Sequence, residues 1–126
     1  LYVLNHALST MDIYDPVQYS WRSLPRPPLL HVTPFDGSAS SKNSSYQVRN
    51  GRVYATFNTG GEIHVYTLDS DSGNPAWSKL AQFRTGGESV KSVLLGNRMY
   101  LGSYTHDIPY YAAFPRPELF FVDLPE

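Results

Sequence analysis

The 126-residue sequence has no cysteine. That excludes a disulfide framework, thiolate metal ligation and a cysteine nucleophile. No apolar run approaches the roughly 18 residues that a membrane-crossing helix needs, so no membrane partner is expected. Residues 1–6 carry no basic stretch of the kind that opens a signal peptide. Charged residues are only 17% of the chain and nearly cancel, leaving a net charge of −1. With no basic excess, no nucleic-acid partner is expected either. The missing cysteines and the missing targeting segment together point to a cytoplasmic or nuclear location. The chain opens on Leu1 rather than Met, and we expect a segment of something longer.

Catalytic signatures are also missing. There is no G-x-S-x-G elbow, phosphate-binding loop or dinucleotide fingerprint. The histidines, His6, His31, His64 and His106, are far apart and lack metal-ligand spacing. His64 alternates with Ile63 and Val65, which places it on the side opposite the core. Residues 69–74 alternate oxygen donors like a calcium loop, but lack the distal glutamate and read as a hairpin loop. We expect no catalytic residue, no metal and no cofactor.

What the chain has is punctuation and aromatics. Ten prolines and nine glycines leave little room for long helices, and ten tyrosines, six phenylalanines and two tryptophans suit a pleated, half-buried surface. The composition predicts an all-β protein.

The aromatics repeat. Tyr2 and Tyr14 are twelve residues apart, as are Tyr54 and Tyr66. Ile13-Tyr14 and Val65-Tyr66 each precede a turn that leads to Trp-x-x-Leu, at Trp21–Leu24 and Trp77–Leu80. Gly96-Asn97-Arg98-Met99-Tyr100-Leu101 mirrors Asn50-Gly51-Arg52-Val53-Tyr54-Ala55. A period near 50 residues with several short strands per unit is the pattern of propeller blades. The expected strands are residues 1–4, 11–14, 20–24, 29–35, 46–48, 52–57, 62–68, 77–83, 90–95, 98–104 and 119–124. Asn50-Gly51 supplies a type I′ hairpin turn and Gly96-Asn97 a second turn. Residues 36–45 read as an exposed loop. The fold predicted is antiparallel four-stranded blades of an incomplete β-propeller, with units near 1–33, 46–84 and 88–126. Tyr14, Trp21, Tyr54, Tyr66, Trp77 and Tyr100 are its repeat residues, filling the wedges between blades.

These residues resemble a kelch-type propeller in the broad galactose-oxidase-like sense. Ile13-Tyr14-Asp15-Pro16 leading to Trp21-Arg22-Ser23-Leu24-Pro25 is similar to the Tyr-Asp, Trp and Leu-Pro of a kelch unit. Val65-Tyr66-Thr67-Leu68-Asp69 leading to Trp77-Ser78-Lys79-Leu80 follows it more loosely, and the glycine pair comes late, at Gly60-Gly61. The chain resembles in particular the divergent propellers that follow F-box segments in plant proteins. Galactose oxidase holds copper with a tyrosine cross-linked to cysteine, so a cysteine-free chain cannot form that cofactor.

Propellers close with four to eight blades. The resemblance therefore implies that the remaining blades come from the same longer chain or from a homo-oligomer. It implies a scaffold that binds a protein partner through the longest irregular segments, residues 34–45 and 105–116. Within the second, His106, Asp107, Tyr110, Tyr111 and Phe114 are the candidate partner-binding residues, since exposed aromatics anchor interfaces. The alternative is a lectin-like propeller stacking sugars on Trp21 and Trp77, with its ring closed by oligomerisation.

Overall fold

The computed structural model describes residues 1–5, 10–25, 44–59, 61–86, 90–104 and 117–124. Among them there is no helix, hence none long and apolar enough to cross a membrane. The described strands are β1 (Tyr2–Asn5), β2 (Thr10–Asp15), β3 (Ser20–Leu24), β4 (Ser44–Arg49), β5 (Arg52–Thr59), β6 (Glu62–Asp69), β7 (Ser78–Arg84), β8 (Lys91–Leu95), β9 (Arg98–Tyr104) and β10 (Pro117–Asp123). They form three antiparallel sheets, ordered β1-β2-β3, β4-β5-β6-β7 and β10-β9-β8. The protein is all-β, built of blade-like sheets of three or four strands. No closed ring forms among the described residues.

Local chemistry explains the pairings. Asn50 and Gly51 take φ of 51° and 75°, the left-handed pair that a type I′ turn demands, and Arg49 pairs with Arg52 across them. Gly96 takes φ of 61° in the matching turn, between Leu95 and Arg98. Pro117 opens β10, where a missing backbone N–H disrupts the ladder least. Most strand boundaries shift by one or two residues from the sequence reading, and two of the shifts have a clear cause. Ser44 and Ser45 belong to β4, paired with Phe57 and Thr56, because the hairpin register carries the ladder past the polar composition. Trp77 stands just before β7 instead of opening it. The strand expected at residues 29–35 lies outside the described residues.

The second sheet lies between the other two, and its strand alternation sorts side chains onto two buried faces. Val53 and Leu68 face the first sheet, where Met11 and Leu24 complete a core with Tyr2, Ile13, Tyr46 and Trp77 against it. Tyr54, Ile63 and Val65 face the third sheet and pack with Val90, Met99, Leu101, Val122 and Leu124. We call a sheet's face toward the chain's start its near face, and the opposite one its far face. Strand β5 is buried on both faces from Val53 to Asn58, which makes it the centre of the molecule. A bulge between β6 and β7 pairs Val65 with Ala81 and Tyr66 with Lys79. It lets the consecutive Leu80 and Ala81 both pack toward the third sheet.

Candidate functional site

Each seam between sheets combines an apolar centre with polar contacts. At the first seam the Ser70 hydroxyl donates to the Gly51 carbonyl at 2.6 Å and accepts from the Tyr2 hydroxyl at 2.6 Å. The Arg22 guanidinium donates to the Ser70 carbonyl at 2.6 Å and lies 3.7 Å from the Asp71 carboxylate. The Trp77 indole N–H donates to the Pro25 carbonyl at 2.8 Å. At the second seam, the Gln47 amide donates to the Ser92 carbonyl at 2.9 Å and Arg49 donates to the Gly96 carbonyl. Phe83 and Phe120 stack with centroids 5.0 Å apart. The Gly86 N–H donates to the Glu118 carboxylate at 3.0 Å.

These contacts align the strand ends into two rims. One rim carries the tight turns at residues 50–51 and 96–97, held together by Arg49 and Gly96, and the loop from Ser70 to Trp77. At the opposite rim stand Gly61, Gly86 and Glu118. Antiparallel pairing also brings the ends Ser44, Tyr104 and Pro117 to this second side of their sheets, whereas Leu24 packs with Val53 and Leu68 near the first rim and the Pro25 carbonyl meets Trp77 there. Tyr104 and Pro117, which flank residues 105–116, are paired at that second side of the third sheet.

The near face of the second sheet carries an aromatic group beside the first seam. Tyr46 and Phe57 meet edge to face at 5.9 Å, and His64 stacks on Tyr66 at 6.4 Å with the rings 15° from parallel. Burial pushes the Tyr46 phenol well above its ordinary range. His64 Nε2 lies 3.5 Å from the Glu62 carboxylate, while Nδ1 is buried without a hydrogen-bond partner. Desolvation lowers the His64 pKa and the Lys79 charge adds to this, with Glu62 partly opposing them. A histidine held neutral by the fold takes up its proton more readily when unfolded. The fold is therefore expected to keep its full stability above the unfolded value of 6.5 and to lose some as pH falls from there through the lower folded value. Urea midpoints measured from pH 8 to 5 check this. His64→Gln should flatten that part of the profile, and an unchanged slope would assign it to other groups.

The repeat residues keep one orientation from sheet to sheet and differ in what covers them. Tyr54, on the far face of the second sheet, is 1% exposed beneath the third. Its counterpart Tyr100 is only half-buried on the far face of the third sheet, beside Phe121 at 6.4 Å. Trp77 is half-buried against the first sheet, whereas Trp21 is 60% exposed on that sheet's near face, 4.9 Å from Tyr14. Tyr66 is half-buried beside His64.

No family model matches this chain, and no curated protein matches it.

Among the described residues, no group of three His, Asp or Glu side chains is placed to hold a metal ion. His106, Asp107, Tyr110, Tyr111 and Phe114 lie outside the described residues, as do His6 and His31. Sequence reasoning missed Ser70 and Arg22, the polar hinge of the first seam, because a serine in a polar loop carries no periodic signal. It also missed the outer far face, where Leu119 and Phe121 alternate with Phe120 and Val122. In a run apolar at every position, alternation cannot separate an exposed face from a buried one.

Proposed function

We propose that this chain is part of a kelch-like propeller and works as a protein–protein interaction scaffold in the cytoplasm or nucleus, with partner-binding residues in segment 105–116. One observation supports this most. Tyr104 and Pro117 pair at the end of β9 and the start of β10, so both ends of segment 105–116 are anchored at one side of the third sheet. Rigid sheets that project long loops from one side are a common platform for recognition.

Tyr110 and Tyr111 are the anchors of this reading. Replacing both with Ala is expected to weaken capture of a cross-linked cellular partner by roughly tenfold or more, the loss typical of an aromatic hot spot. The far-ultraviolet circular dichroism spectrum should stay unchanged. If both variant and wild type retain the same partner equally, the contact surface lies elsewhere.

The carbohydrate-binding alternative draws on Trp21, whose indole is open beside Tyr14. Trp77 does not share that openness, since it packs on the first sheet and its N–H is engaged by Pro25. Sugar quenching of tryptophan fluorescence that disappears in Trp21→Phe would favour this alternative.

A further inference from the structure

The three sheets stack by one rule. The far face of the first sheet meets the near face of the second, and the far face of the second meets the near face of the third. Among the described residues, two faces of the stack then remain outermost. The near face of the first sheet carries Val3, Asp12, Tyr14 and Trp21, with Val3 37% and Trp21 60% exposed. The far face of the third sheet carries Val93, Leu95, Tyr100, Leu119 and Phe121, with Leu119 73% and Phe121 51% exposed. Large apolar side chains exposed together on one face point to an interaction site.

We infer that these two faces bind each other between two copies of this chain, head to tail. The occupant follows from the repeat itself. Trp21 and Tyr100 occupy the positions of Trp77 and Tyr54, which the neighbouring sheet covers inside the chain. Covering the far face of the third sheet therefore takes a near face, and the first sheet of a second copy supplies one. Charge agrees with this pairing. Asp12 stands on the near face of the first sheet, held by the Ser23 hydroxyl at 2.7 Å. Lys91 and Arg98 share the far face of the third, where Arg98 lies over the Phe121 ring at 4.1 Å and pairs with Asp123 at 2.7 Å. The two surfaces differ, so the contact is heterologous, and repeated addition gives a ring or an open stack according to whether the rotation closes.

This inference is independent of the loop contact proposed above, and Tyr110→Ala should leave it unchanged. Two variants test it, each blocking one face with a charge that its counterpart repels: Trp21→Lys on one and Leu119→Glu on the other. Both positions are more than half exposed, and circular dichroism checks their folding. Val3→Lys and Val93→Glu form a second pair if either spectrum changes. Sedimentation equilibrium of the wild type should show a mass rising with concentration, while each variant alone stays at the mass of one chain. Mixed in equal amounts, the two variants should associate again, to at least twice that mass, through the one intact pair of faces. A wild type that stays at single-chain mass up to hundreds of micromolar overturns the inference. So does a mixture that fails to associate, which would make the contact symmetric or place it elsewhere.

Discussion

Leu101→Ala is expected to destabilise the fold by about 2–5 kcal/mol, the range for truncating a fully enclosed leucine. Leu101 is 0% exposed and sits in the core shared by the second and third sheets, with Tyr54, Ile63 and Val65 across the seam. Truncation removes apolar contacts and leaves a void that two hydrogen-bonded sheets cannot easily collapse to fill. Leu95→Ala is the internal control. It lies in the same sheet but on the far face, 61% exposed, and should change stability by less than about 0.5 kcal/mol. Urea unfolding reads both, through a shifted midpoint at constant slope. Equal effects at the two leucines would mean that the seam between these sheets does not contribute to stability.

Gly51→Val is the second large effect, expected to cost about 1–3 kcal/mol through backbone strain. Gly51 holds φ of 75°, a region that a β-branched residue enters only under strain. A Cβ at this position would collide with the Asp71 carboxylate. That carboxylate is 73% exposed and can swing aside, at the loss of its ion pair with Arg22. An exposed pair is worth about 0–1 kcal/mol, so the collision is the smaller part of the cost. The turn also presents the Gly51 carbonyl to both the Ser70 N–H and the Ser70 hydroxyl, so a displaced turn would loosen the first seam. Gly51→Asn should recover most of the loss, because asparagine tolerates the left-handed region. If Val and Asn prove equally costly, crowding by Asp71 rather than φ governs this position.

Much of the architecture was readable from short-range chemistry. Asn50-Gly51 and Gly96-Asn97 announced their hairpins because few dipeptides accept the required dihedrals. The alternation of Ile63 and Val65 with His64 separated the two faces of β6, and the structure buries the two aliphatics completely. The start of β4 was not readable, since Ser44 and Ser45 are strand residues only through pairing with β5. The candidate site was less legible. Tyr110, Tyr111 and their neighbours were chosen for aromatic composition in a long connection, and composition carries no geometry. The Ser70 hinge joins Tyr2, Arg22 and Gly51 across 19 to 68 residues of sequence, a relation that no local window contains.

The sequence by itself determined the all-β class, the turns and the aromatic repeat, because each depends on dihedral preference and side-chain period within a few residues. Tertiary structure alone decided what each repeat does. Tyr54 and Tyr100 stand at equivalent positions, yet one is sealed in the core and the other is half-open. Trp77 and Trp21 divide in the same way. The physical reason is that burial depends on which sheet lies across the seam, and a residue's own neighbours in sequence do not encode that sheet.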